Sequence, residues 1–253
     1  MNKTQTFRLI LAAVLIAIGI VLFFFSFTIN LFGVPAVRVD FISVPILIAG
    51  FLLGKWYGLA VGALIDLIGY FSAAAPLGPY FFGFTLNLAL VGFAAGFLPQ
   101  ALKKVSPRLT QISLVVLLTT SITAAITYIG VTPSIPIGSE DIVLDNGSKI
   151  ALIASIIVLA ILSIFFFNLI IRETRFTANN MQKIVIIMLV TEIILIVLTP
   201  LWVFMLYDNP PIFIGIISRL VRASFIFPVK VITVLAVLNA IKQQETFNIE
   251  VLA

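Results

Sequence analysis

The chain has 253 residues, 62% of them hydrophobic and only 10% charged, where a soluble domain carries roughly a quarter charged. Its mean hydropathy of +1.25 excludes a soluble domain of any size and predicts a polytopic membrane protein, with the lipid bilayer as its first partner. There is no cysteine and no histidine, which excludes disulfides and thiol chemistry and removes the usual proton shuttle and the commonest metal ligand; the net charge of +5 is read as a topology signal rather than as a nucleic-acid surface.

In chain order, residues 7–29 form the first apolar run, long enough to cross a bilayer. Lys3 and Arg8 stand at its start, but no small-residue cleavage site follows it, so it is a helix rather than a signal peptide. It carries the small pair Ala13 and Ala17, four apart, with Gly19 nearby; such pairs let helices approach closely in lipid. Residues 41–53 are apolar but short, either a marginal span or buried irregular backbone. Residues 57–73 and 82–102 follow. Gly50, Gly54, Gly58, Gly62 and Gly69 recur four or seven apart through this region, on or near one helix face.

After the basic loop with Lys103, Lys104 and Arg108 come two further spans, 109–131 and 150–171, joined by the exposed loop TPSIPIGSEDIVLDNGS. A polar, basic stretch at 172–183 leads to a span at 184–206, in which Pro200 is a predicted kink. Asp208, Asn209, Pro210 and Pro211 make a turn, and the last span runs from 212 to 241 with Pro228 inside it. The expected fold is all-α: a polytopic transmembrane bundle of about eight helices in a single integral membrane domain.

The charges order this topology. With the amino terminus inside, the inner segments hold Lys3, Arg8, Lys55, Lys103, Lys104, Arg108, Arg172, Arg175, Lys183 and Lys242, and the outer ones only Arg38 and Lys149. The acids Asp40, Glu140, Asp141, Asp145 and Asp208 fall outside. This bias predicts a multi-pass protein of the cell membrane with both termini cytoplasmic.

Five ionisable residues remain within spans: Asp66, Glu192, Arg219, Arg222 and Lys230. Each is costly in lipid and so a functional candidate. Asp66, among glycines, can instead bond a neighbouring helix, and Glu192 can pair with Lys230. Arg219 and Arg222 are three apart and share a face near the outer side. The expectation is that Arg219 meets a carboxylate-bearing ligand and Arg222 snorkels to headgroups.

Three blocks now carry a resemblance. FGVPAVRVDFISVPILIAGFLLG at 32–54, GLAVGALIDLIGY at 58–70 and GPYFFGFTL at 78–86 resemble the substrate-binding S components of energy-coupling factor (ECF) vitamin transporters. A late segment, LTPLWVFMLYDNPPIFIGIISRLVRASFIFP, is similar to the folate group of that family. The resemblance implies a helical membrane subunit that binds a vitamin, folate in the first instance, at the outer side. It would dock on an ECF transmembrane coupling subunit driven by two ABC-type ATPases. Family members usually have six helices, so the core would be 7–104 and 180–242, with 109–171 an inserted helical hairpin. Ala13 and Ala17 occupy the place of the family's small-residue motif facing the coupling subunit. No G-x-x-x-x-G-K-[ST] occurs in the chain, so ATP hydrolysis must come from a partner.

A pocket for a flat heteroaromatic ligand needs stacking faces and a few fixed polar groups. The expected ring site lies among Tyr80, Phe84 and Trp202, with Asn87 at the ring edge and Tyr207 available nearby. Arg38 and Arg219 would hold polar or acidic groups. No catalytic residue, metal or cofactor is expected. Three alternatives remain open at this stage: an S component for another vitamin, a membrane-embedded enzyme using Asp66 or Glu192, and an assembly or channel-like subunit with no small ligand.

Overall fold

The computed structural model describes residues 3–31, 34–72, 79–102, 134–137, 140–143, 145–151, 178–207 and 212–243, with single positions between 112 and 130 and between 153 and 161. The elements are α1 (Lys3–Phe24), β1 (Phe27–Leu31), β2 (Val34–Val39), α2 (Ser43–Leu53), α3 (Lys55–Ser72), α4 (Phe82–Ala101), β3 (Ser134–Ile137), β4 (Glu140–Val143), α5 (Ala178–Leu206) and α6 (Ile212–Gln243). The single positions at 112–130 and the residues described from 146 to 161 are helical as well. The molecule is the all-α bundle expected, and by length and composition α1, α4 and α5 each hold a stretch able to cross a membrane.

The centre of the bundle is α2. Ten of its eleven residues are buried, and it touches α1, α3, α4 and α6. It is a regular helix that faces protein on every side, which is why its sequence is apolar all round. Gly54, at a φ of 93°, breaks the chain between α2 and α3 in a conformation that a side chain would strain. α4 lies between α3 and α5, and α1 packs on α2 and α3 through Ala12, Leu15, Gly19 and Phe23. That buried stripe has the helical spacing of three and four. Ala13 and Ala17 are exposed on the remainder of α1, beside the exposed Ile10, Val14, Ile18 and Val21.

α3 and α4 cross with almost no separation. A Cβ built on Gly92 would fall onto the carbonyl oxygen of Gly58, and one on Gly58 onto that of Gly92. Gly62 meets the Leu88 carbonyl in the same way. Of the glycines singled out in the sequence, Gly58 and Gly62 thus serve one helix crossing, while Gly69 makes room for Phe23 of α1.

The structure departs from the expected boundaries in three places. α1 ends at Phe24 because the alternating segment Phe27–Leu31 pairs antiparallel with Val34–Val39; residues 27–29 are strand, not helix. β3 and β4 form a second antiparallel hairpin between residues 134 and 143, against β1. The helix after it has started by residue 146, because Asp145 accepts hydrogen bonds from the backbone N–H groups of Gly147 and Ser148 and from the Ser148 hydroxyl. That is an N-cap, and these same bonds hold the exposed Asp145 carboxyl below its ordinary value. α5 begins at Ala178, which places Lys183 inside a helix and buried rather than in a loop. The Lys103–Arg108 loop, the turn at 208–211 and Ser139 lie outside the described residues.

Candidate functional site

One end of the bundle gathers the start of α2, α4 and α6, the end of α3 and α5, and the β1–β2 hairpin. Between them is a cavity of about 170 Å³. Its apolar and aromatic walls come from Phe23, Tyr70, Tyr80, Phe81, Phe84, Leu195 and Val203. Its polar groups are Arg38, Asp40, Ser43, Asp66, Asn87, Thr199, Arg219 and Arg222. An apolar pocket with a few convergent polar groups is the form small-molecule sites take.

The aromatic side is built where the chain enters α4. The Tyr80 ring lies 5.2 Å from Tyr70 and 5.3 Å from Phe71, distances at which tilted rings attract. The Tyr80 hydroxyl contacts Thr85 Oγ1 at 2.8 Å, and Thr85 donates to Asp66 Oδ2 at 2.6 Å. The expectation that Asp66 bonds a neighbouring helix therefore holds, and the carboxylate also lines the cavity. Two residues along, Asn87 faces α5: its Nδ2 donates to Thr199 Oγ1 at 3.1 Å and its Oδ1 accepts from Trp202 Nε1 at 2.9 Å.

Of the six predicted ligand residues, Arg38, Tyr80, Phe84, Asn87 and Arg219 line this one cavity. Trp202 does not. Its ring sits 5.8 Å from Phe81, it packs on Gly83, and its N–H is committed to Asn87. It packs behind the cavity wall rather than lining it, because the turn of α5 that carries it points toward α4. Thr85 and Thr199 were not singled out in the sequence; their only signal is their placement one helical turn or less from Asn87 or Trp202, which fixes no direction without the packing.

The cations divide into two groups. The Arg38 guanidinium lies 4.1 Å over the Phe23 ring and donates from Nε and Nη2 to Ser26 Oγ at 3.1 and 2.8 Å. Burial pushes it below its ordinary value, and Asp40 and Asp66 oppose that shift. Arg219 is 6% exposed, and its Nη1 donates to the Gly215 carbonyl of its own helix at 2.9 Å. Among the described residues no carboxylate lies within ion-pair distance of it.

Arg222 corrects the expectation that it reaches headgroups. Its Nη2 donates to Glu192 Oε1 at 2.6 Å, its Nη1 donates to the Arg38 carbonyl at 2.9 Å, and Asp40 lies 4.0 Å away. Lys230 Nζ stands 3.7 Å from Glu192 Oε2, as the pairing of those two residues predicted. α6 is rotated so that Arg222 faces α5 and the hairpin. Removing one partner of a buried pair costs about 3–5 kcal/mol, so Arg222→Ala should lower the melting temperature of the purified protein markedly. Combining Arg222→Met with Glu192→Gln should not restore it, because Lys230 would then be left as an unpaired buried cation. A wild-type melting temperature in Arg222→Ala would show that this network carries no stability.

A family model described as the ECF transporter substrate-specific component matches residues 7–243. The riboflavin transporter RibU of Staphylococcus aureus (strain TCH60) is 40% identical over 81 residues, which is 32% of this chain. The match spans 42% of that relative's length. With the family model covering nearly all of the chain, and a helical membrane bundle enclosing a polar-edged aromatic cavity at one end, this protein belongs to the family of substrate-specific components of ECF transporters.

Proposed function

We propose that this chain binds a vitamin with a flat heteroaromatic ring and a carboxylate-bearing tail, folate being the type, in the cavity between α3, α4, α5 and α6. The ring lies between Tyr80 and Phe84 with Asn87 at its edge, and the tail reaches Arg219 and Arg38. The observation that carries this reading is Arg219: a buried guanidinium lining the cavity, bonded only to its own helix's carbonyl among the described residues. A desolvated arginine is best satisfied by a carboxylate, through two parallel hydrogen bonds. The partial identity to a riboflavin transporter favours a second reading, in which the ring is a flavin. Isothermal titration of the purified protein with folate and with riboflavin separates the two. Heat with folate supports the first reading, heat with riboflavin alone supports the second, and silence with both sinks the site. The alternatives of a membrane enzyme or a ligand-free assembly subunit fall away, since the family comprises substrate-specific transporter components.

Delivery follows through an ECF coupling subunit and two ABC-type ATPases, because the chain has no nucleotide-binding loop of its own. Ala13 and Ala17, exposed on α1, are the proposed seat of that subunit. Close contact between helices in lipid requires small side chains. Replacing both by leucine should leave vitamin affinity nearly unchanged and abolish uptake into cells; normal uptake in the double variant would rule this surface out.

The pocket end faces outward and both termini are cytoplasmic in this proposal, on the strength of the basic residues clustered at the other end. A single cysteine at Ser139 reports on it cleanly, as the chain has none of its own. An impermeant maleimide should label it on intact cells, and labelling only after lysis would invert the topology.

A further inference from the structure

The protons in the pocket can be counted, and the count divides its polar groups into donors and acceptors. An indole N–H only donates, so Trp202 Nε1 at 2.9 Å fixes the Asn87 amide with Oδ1 toward Trp202. Nδ2 then donates one proton to Thr199 Oγ1 and has a second to give. Thr199 accepts in that bond and so keeps its own hydroxyl proton to donate. At Tyr80, Thr85 and Asp66 the order is reversed. Thr85 gives its one hydroxyl proton to Asp66 Oδ2, so the 2.8 Å contact with Tyr80 has Tyr80 as its donor. Tyr80 is left with lone pairs alone. Asp66 Oδ1 has no donor among the described residues, although Asp66 is only 6% exposed and lines the cavity. Asn87 on α4 and Thr199 on α5 offer donors, while Asp66 on α3 and Tyr80 just ahead of α4 offer acceptors.

We propose that Asp66 is the specificity-determining residue for the ring, its carboxylate accepting from an N–H edge of the ligand while Asn87 Nδ2 and Thr199 Oγ1 donate to ring acceptors. The assignment deepens the ligand reading above and rests on a heteroaromatic ring entering this cavity. Oδ1 opens on the cavity without a protein donor among the described residues, and a ligand N–H entering there gives a carboxylate a charge-assisted hydrogen bond. The chemistry that fits best is an amino-oxo heterocycle, in which an exocyclic amine stands beside a ring N–H. Two parallel donors then meet one carboxylate, in the manner of a charge-assisted pair; Oδ2 keeps a further lone pair for this beside its bond from Thr85. A dioxo ring presents a carbonyl on each side of its N–H, and those oxygens face the carboxylate with like partial charge. Asp66 therefore selects the amino-oxo ring over the dioxo ring.

The experiment is titration of the full-length purified protein with folate and with the folate analogue whose 2-amino group is replaced by hydrogen, in wild type and Asp66→Asn. A hydrogen bond to a charged group corresponds to roughly tenfold to a hundredfold in affinity. Wild type should prefer folate by about that factor, and Asp66→Asn, its folding checked by melting temperature, should bind folate more weakly and lose the preference. A wild-type preference under roughly fivefold, or one of full size persisting in Asp66→Asn, overturns the assignment and leaves the folate reading standing. If Asp66→Asn does not fold, the wild-type preference decides alone at the same threshold. Absence of any heat with folate overturns both.

Discussion

Arg219→Ala is expected to weaken vitamin binding by roughly thirtyfold or more. Losing a buried charge-assisted partner costs on the order of 2–5 kcal/mol when the other group stays desolvated, and each ~1.4 kcal/mol is tenfold in affinity. The fold itself should tolerate the change, because the bond lost among the described residues is a single one from Nη1 to Gly215 O on the same helix. Arg219→Lys is not conservative here: an ammonium restores the charge but not the two-pronged geometry, so it should recover only part of the affinity. Isothermal titration checks both variants, with melting temperature as the control for folding. Wild-type affinity in Arg219→Ala would remove the carboxylate tail from the proposed ligand.

Gly92→Ala should be the most damaging added methyl among the described glycines. The added Cβ would occupy the place of the Gly58 carbonyl oxygen, with the Ile46 side chain also in contact. Neither α3 nor α4 can yield without disturbing α2, which both enclose. Overpacking costs about 1–3 kcal/mol, and occasionally more, and a backbone obstacle belongs at the upper end because it has no rotamer to adopt. At 2–4 °C per kcal/mol for a chain of this size, a loss of about 6–12 °C in melting temperature or a collapse in yield is expected. Gly130→Ala, with nothing among the described residues within 4 Å of its Cβ, is the control and should change neither. A Gly92→Ala protein that melts with wild type would mean that α3 and α4 do not touch there.

The helices are legible in the sequence because lipid and protein interiors impose one rule, long apolar runs with the backbone satisfied internally. The runs at 57–73, 82–102 and 212–241 land within a few residues of α3, α4 and α6. The end of α1 is less legible, although Phe27–Thr28–Ile29–Asn30–Leu31 already alternates with the period of a strand; apolar content alone reads straight through it. Five of six predicted pocket residues line a common cavity, since aromatic and cationic residues at the ends of spans have few other places to go. The failures at Trp202 and Arg222 share a cause. Which way a residue points from a helix depends on the rotation of that helix against its neighbours, and neither α5 nor α6 states this in its own sequence. Glu192, thirty positions before Arg222, is what turns that arginine inward.

A helix of eleven residues is about 16 Å long, roughly half the hydrocarbon thickness. α2 therefore cannot lodge across a bilayer as a lone segment leaving the translocon. Its apolar surface is no obstacle to entering lipid, but its ends would hold unsatisfied backbone groups in hydrocarbon. It must travel joined to α3 through Gly54 and wait for α4 and α6 to surround it. The order of biogenesis is thus written into the fold: α2 is synthesised before α4 and α6, and their arrival completes its burial.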